Sequence, residues 1–123
     1  MSTSVPCVLM AKKVAVTAKF GTDGTKAAQI NPFVTLWWAV TGKALNGEVI
    51  QHQTLTREEA LIATTRANAL LMFQEQNIGA IKPGLLADML VLDRDYFTVP
   101  ADEIKDIRPV ATIVGGRIVY GSL

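Results

Sequence analysis

One segment limits the folds open to this chain more than any other. The run Asn31-Pro32-Phe33-Val34-Thr35-Leu36-Trp37-Trp38-Ala39-Val40-Thr41 begins like a helix and then offers no polar side. Asn31 suits an N-cap, because its side-chain oxygen can accept one of the N–H groups that a helix start leaves unpaired. Pro32 suits the first turn, where its missing N–H costs nothing. From Phe33 to Thr41 the apolar residues, including Leu36, Trp37, Trp38 and Val40, lie on too many sides for a helix with a solvated face. The pattern predicts a helix buried in a larger body. Yet 123 residues fit one small domain, or part of one, and cannot hold two cores of ordinary size.

The remaining segments read as alternating strand and helix. Val14 to Phe20 has β-branched residues at alternate early positions with small apolar ones between, as in a strand covered on both faces. Gly21 and Gly24 bracket Thr22-Asp23, which ends the strand and leaves Asp23 at its C-terminal mouth. Gly42 through Gly47 read as a loop. Thr56-Arg57-Glu58-Glu59 has capping-box spacing and predicts a helix from there to about Gln76, with Gly79 in the C-cap region. Along it Ala60, Ala63, Ala67, Leu70 and Leu71 recur at helical spacing and predict one stripe packed on a neighbour. Lys82-Pro83-Gly84 is a turn signal, followed by a strand over Met89-Leu90-Val91-Leu92 that Asp93-Arg94-Asp95 ends. Ala111 to Tyr120 predicts a hairpin whose two-residue loop, Gly115-Gly116, suits a primed turn. There is no internal repeat and no low-complexity tract.

Composition excludes several classes of function. Half of the residues are hydrophobic and 19% are charged, as in globular cores. Twelve Lys and Arg against eleven Asp and Glu give a net charge of +1, with no basic run able to follow a phosphate backbone, so no nucleic-acid partner is expected. Cys7 is the only cysteine, which precludes an intrachain disulfide and makes a cytoplasmic setting the expectation. Lys12 and Lys13 follow the short apolar opening rather than precede it, unlike a signal peptide. No stretch approaches the ~20 apolar residues of a membrane span. A soluble protein is expected.

The segment Gly79-Ala80-Ile81-Lys82-Pro83-Gly84-Leu85-Leu86-Ala87-Asp88-Met89-Leu90-Val91-Leu92-Asp93 resembles the C-terminal signature of metal-dependent amidohydrolases, G-x-I-x-x-G-x-x-A-D-x-x-x-x-D. Val110 to Tyr120 is similar to that family's closing hairpin. Upstream, Gly21-Thr22-Asp23-Gly24 followed by Asn31-Pro32-Phe33 resembles the Gly-Ser/Thr-Asp segment and Asn-Pro helix of amidohydrolase family 3, the subgroup of N-substituted formamide deformylase-like enzymes. The three matches keep the family's order and spacing, and they cover roughly residues 13 to 121. The resemblance implies an α/β fold: the last strand and helices of a (β/α)8 barrel over residues 13–78, then C-terminal strands and a hairpin of a flanking β-sandwich over 79–123, with residues 1–12 unassigned. A complete barrel needs ~250 residues, so a partial fold is implied.

The same resemblance implies a function. In the family the aspartate ending the eighth strand touches the metal centre and takes a proton from water, and the position carrying that role here is Asp23, as general base and possible metal ligand. The complete enzyme would hold a divalent metal, zinc, and hydrolyse non-peptide C–N bonds of amide or formamide type. The family's His-x-His pair and further histidines are absent, and a catalytic zinc takes three protein ligands, whereas this chain offers His52 and Cys7. No cofactor and no activity are expected for the chain alone. The expected partner is a complementary N-terminal amidohydrolase segment, or a further copy of the chain. The alternative is a non-catalytic interaction or oligomerisation module derived from the same fold.

Other residues read as structural. Asp23 is itself an ordinary turn former by spacing alone. His52, between Gln51 and Gln53, is expected in an exposed loop without a role. Trp37 and Trp38 read as core, Asp88 as a carboxylate that accepts backbone N–H bonds in a tight turn, Cys7 as an inert thiol, and Gly115-Gly116 as a hairpin turn rather than a phosphate cradle.

Overall fold

The computed structural model describes residues 31–123. The expected strand over Val14 to Phe20, together with Cys7 and Asp23, lies outside those residues.

The apolar run forms helix α1, Pro32–Thr41. Its start follows the cap chemistry: Asn31 is extended (φ −70°, ψ 115°), and its Oδ1 accepts from the Phe33 N–H at 3.0 Å. Gly42 closes the helix in the left-handed region, donating to the Trp38 carbonyl at 2.9 Å. The segment that follows is more ordered than a free loop. Lys43 and Val49 form an antiparallel bridge, with the Ala44 N–H on the Glu48 carbonyl at 2.8 Å.

The Thr56 capping box is present in both directions: the Glu59 N–H donates to Thr56 Oγ1 at 3.2 Å and the Thr56 N–H donates to Glu59 Oε2 at 2.8 Å. The helix it starts does not reach Gln76. It breaks into α2, Arg57–Thr64, and α3, Arg66–Leu71, with Thr65 at φ −108°, ψ −82° between them. Two consecutive hydroxyls bond back to carbonyls four residues earlier, Thr64 to Ala60 at 2.9 Å and Thr65 to Leu61 at 2.8 Å. Such back-bonding bends helices, and β-branched residues propagate them poorly. The break rotates the stripe: Ala60, Ala63 and Ala67 are buried as expected, but Ala69 joins them in place of Leu70 and Leu71, which are exposed.

The end of α3 also departs from expectation. Its left-handed residue is Phe73 (φ 56°), not a glycine. The Gln74 N–H reaches the Ala69 carbonyl at 2.9 Å and the Phe73 N–H reaches Leu70 at 3.1 Å, the bond pair of a Schellman motif. Gly79 has a different role from the expected cap. It lies against α3 at φ 99°, where a Cβ would come within 2.6 Å of the Ala69 Cβ.

Strands β1 (Met89–Leu92), β2 (Pro109–Val114) and β3 (Arg117–Gly121) form an antiparallel sheet in the order β1-β2-β3. Met89 pairs with Ile113 and Val91 with Ala111, and Ile113 pairs in turn with Ile118. Gly115 and Gly116, at φ 56° and 79°, form the primed hairpin turn that two left-handed residues allow. A 3-10 helix, Ala101–Asp106, links β1 to β2 and packs on α1.

A cluster of buried residues joins α1 and α2 to the segment between β1 and β2. Phe33, Leu36, Trp37 and Ala39 of α1 meet Leu55, Ala60 and Ala63, and on the other side Tyr96, Ile104 and Ile107. Ile104 and Ile107 are fully buried, so the segment around the 3-10 helix covers much of the apolar surface that the sequence of α1 demands. Residues from both sides of position 79 contribute to this core.

Candidate functional site

Among the described residues, an apolar cavity and three polar locks stand out. The cavity, about 300 Å³, lies between α1, α2 and the end of β1, and is lined by Phe33, Leu36, Leu61, Leu92, Tyr96 and Phe97, with Arg94 and Asp95 as its charged members. Tyr96 is fixed from behind. Its hydroxyl donates to the Arg57 carbonyl at 2.9 Å, while the Arg57 guanidinium donates to the carbonyls of Tyr96 and Val99. Burial pushes the Tyr96 phenol up to about 12, against the opposing pull of the Arg57 charge. It is a neutral donor at ordinary pH and cannot act as a base. Asp95 accepts the Phe97 N–H at 2.8 Å, which closes the turn carrying both rings.

The second lock is Asp102, held by Lys43 Nζ at 2.7 and 2.8 Å and by Trp37 Nε1 at 3.4 Å. These donors, Lys43 first, keep its carboxyl below the usual carboxylate range. Lys105 stands 5.4 Å from the Trp37 ring on the same side. The third is Asp93, whose carboxyl accepts the Arg108 N–H at 3.0 Å, while its own N–H donates to the Arg108 carbonyl at 2.9 Å. The backbone bond from Arg108 is the main cause of its lowered pKa.

His52 is exposed, as expected, and its neighbour Gln51 turns inward to donate to the Gln53 carbonyl at 2.7 Å. Among the described residues there is no group of three or more His, Cys, Asp or Glu side chains that could hold a metal ion. Trp37 is core, at 3% exposure, and Trp38 is half-buried.

Residues 6–120 match the sequence model of the amidohydrolase family. The chain belongs to that family. Among curated proteins it is 29% identical over 127 residues to a 5-methylthioadenosine/S-adenosylhomocysteine deaminase of Symbiobacterium thermophilum, covering 94% of this chain and 28% of that protein. It is 29% identical over 91 residues to an N-substituted formamide deformylase of Arthrobacter pascens, covering 73% of this chain and 17% of that protein. The chain thus spans less than a third of the length of these relatives. No solved structure matches it.

Seen as an amidohydrolase segment, the Gly79 to Asp93 signature is a framework for the sheet. Asp88 Oδ1 accepts the Gly115 N–H at 2.8 Å, and the Ala87 carbonyl accepts the Gly116 N–H at 3.0 Å. Asp88 therefore ties the start of β1 to the hairpin turn, while Asp93 ties its end to the entry of β2. Amidohydrolases are generally metal-dependent, but the described part of this one lacks a fitting ligand set. Sequence reasoning missed the Arg57–Tyr96 latch and the Lys43–Asp102–Trp37 cluster, since each joins residues far apart in the chain. Phe73 carried one readable signal: no glycine stands directly after α3, so some other residue must take the left-handed position.

Proposed function

We propose that this chain is the C-terminal part of an amidohydrolase that hydrolyses non-peptide C–N bonds of amide or formamide type, with Asp23 as its general base. In this reading residues 14–20 are the eighth strand of a (β/α)8 barrel, and β1 to β3 belong to a flanking β-sandwich. What carries the reading is the family match over residues 6–120, which includes both Gly21-Thr22-Asp23-Gly24 and the Ala87-Asp88 signature. The names of the two relatives, a deaminase and a deformylase, support C–N chemistry as the reaction class.

Asp23 would sit where barrel active sites lie, at the C-terminal end of a strand. A fixed carboxylate there accepts a proton as water attacks the substrate carbon, then returns it to the leaving nitrogen. A divalent metal, zinc in this reading, supplies the complete enzyme with a water acidic enough for that transfer near neutral pH. Besides Asp23, its ligands would come from other strands of the barrel. The chain alone is inactive in this reading, and a polypeptide supplying the remaining barrel strands is its partner.

The test is Asp23→Asn introduced into a full-length relative that carries this C-terminal part. The amide keeps the shape but cannot take the proton. Turnover should fall by ~10²–10⁴-fold while thermal stability stays at the wild-type value. A variant with wild-type kcat would remove Asp23 from the mechanism.

A further inference from the structure

The segment after α1 folds back on itself and carries an Asn-Gly pair at its exposed tip. Lys43 and Val49 form the bridge, and the Ala44 N–H donates to the Glu48 carbonyl at 2.8 Å. Residues 45–50, which include Asn46 and Gly47, are exposed. The pair has a chemical weakness. An asparagine side-chain carbonyl carbon is within reach of the next residue's backbone nitrogen, and closure to a succinimide ring is hindered chiefly by the next residue's side chain. Glycine has none, and asparagine is among the residues that heat-adapted proteins avoid.

The fold holds Asn46 in a pose suited to that closure. Its Oδ1 accepts the Glu48 N–H at 3.0 Å and its Nδ2 donates to Glu48 Oε2 at 3.4 Å, so one residue fixes both ends of the amide. The first bond bears on reactivity. The side-chain oxygen gains negative charge as its carbon is attacked, and an N–H already aimed at that oxygen stabilises the charge. Gly47 stands at φ 87°, and a Cβ there would meet nothing within 4 Å, so the space around the attacking segment is open. One bond opposes the reaction. The Gly47 N–H donates to the Ala44 carbonyl at 2.8 Å and must leave it before the nitrogen can lose its proton. At an exposed tip such a bond opens locally at little cost. The chain's other asparagines lack this combination. Asn31 precedes Pro32, whose nitrogen carries no proton. Asn68 lies within α3 with Nδ2 on the Thr64 carbonyl at 3.0 Å, and Asn77 is followed by the β-branched Ile78.

We propose that Asn46 is a site of spontaneous deamidation through a succinimide, with water as the only co-reactant. The inference is independent of the catalytic reading. The Gly47 nitrogen, having lost its proton to solvent, bonds to Cγ of Asn46. The Cγ–Nδ2 bond breaks, and Nδ2 takes up a proton and leaves as ammonia. Water then opens the ring on either side of the nitrogen. Cleavage at Cγ gives aspartate, whereas cleavage at the main-chain carbonyl gives isoaspartate, with the backbone rerouted through Cγ. Nothing is oxidised or reduced. Both products set a carboxylate beside Glu48 where an amide donor stood, and isoaspartate lengthens a backbone segment whose ends, Lys43 and Val49, are paired. The Ala44 to Glu48 bond should weaken first, next to the Lys43 that holds Asp102 at 2.7 Å.

The experiment is incubation of the full chain at neutral and at mildly alkaline pH, followed by peptide mapping with fragmentation that separates aspartate from isoaspartate. The peptide holding Asn46 should convert from amide to acid about tenfold or more faster than those holding Asn68 and Asn77, and faster at the higher pH. In heavy-oxygen water the product should carry the label, and both aspartate and isoaspartate should form. Asp23-Gly24 can close the same ring without change of mass, so isoaspartate is assigned peptide by peptide. Asn46→Gln must close a larger ring and should block the change with the circular dichroism spectrum unaltered. Hydrogen exchange at Ala44 should quicken in the aged wild type and not in aged Asn46→Gln. An Asn46 that stays intact in the folded chain while the urea-unfolded chain converts would overturn the proposal, since the fold would then protect the site. So would conversion no faster than at Asn68 and Asn77, or a product that is aspartate alone, which would mean direct hydrolysis without the ring.

Discussion

The assignment of the signature aspartate Asp88 to structure rather than chemistry can be tested by one pair of substitutions. Its Oδ1 accepts the Gly115 N–H at 2.8 Å, and the neighbouring Ala87 carbonyl takes the Gly116 N–H, so two consecutive turn amides are fixed from the start of β1. Asp88 is exposed, so charge at that site is screened and the bond should be valued as an ordinary one, about 1 kcal/mol net. Asp88→Ala should then cost about 1 kcal/mol, or ~4–8 °C in Tm for a body of this size. It should also speed hydrogen exchange at Gly115 selectively, because the turn loses its anchor before the rest of the sheet opens. Asp88→Asn retains an acceptor oxygen at the same place and should stay near wild type on both measures. In a full-length amidohydrolase neither variant should change kcat per folded molecule. The reasoning fails if Asn is as damaging as Ala, since charge and not the bond would then matter. It fails equally if either variant removes turnover without loss of stability.

Two further outcomes follow from the core and the carboxylates. Ile104 of the 3-10 helix is fully buried in the core shared with α1, and Ile104→Ala should lower stability by about 2–5 kcal/mol, read as a reduced urea midpoint. A shift under 1 kcal/mol would mean that the 3-10 helix does not seal the core. Asp93 and Asp102 both have folded-state pKa values below the ordinary 3.8, through the Arg108 backbone bond and the Lys43 side chain respectively. Their contribution is thus fully present above about 3.8, the unfolded value, and is lost as pH falls below it through the lowered folded values. Urea midpoints of wild type should decline over that acidic range, and the decline should be shallower in Asp93→Asn. An identical pH profile in the variant would discount the Arg108 bond.

The features legible in the sequence are those whose cause lies within a few residues. Asn31 caps Phe33, Thr56 and Glu59 exchange bonds three positions apart, and Gly115-Gly116 supply the two positive φ angles that a tight hairpin needs. The family signature was equally readable, since it is a fixed spacing of residue types between Gly79 and Asp93. The break at Thr65 was harder. Helical periodicity continues through it, and the competing hydroxyl bonds of Thr64 and Thr65 appear only once Ala60 and Leu61 are placed. Tertiary structure alone decided which side chains were left outside. Leu70 and Leu71 fit the same stripe as Ala67, but the break turns them to solvent and sends Ala69 inward. Arg57 reaches Tyr96 across 39 residues and Lys43 reaches Asp102 across 59, contacts that no local pattern encodes. The physical reason is range: capping and turn formation are settled by hydrogen bonds between near neighbours, whereas burial depends on which distant surface happens to cover a residue. For α1 the sequence demanded a cover, and only the three-dimensional packing showed that Tyr96, Ile104 and Ile107 supply it.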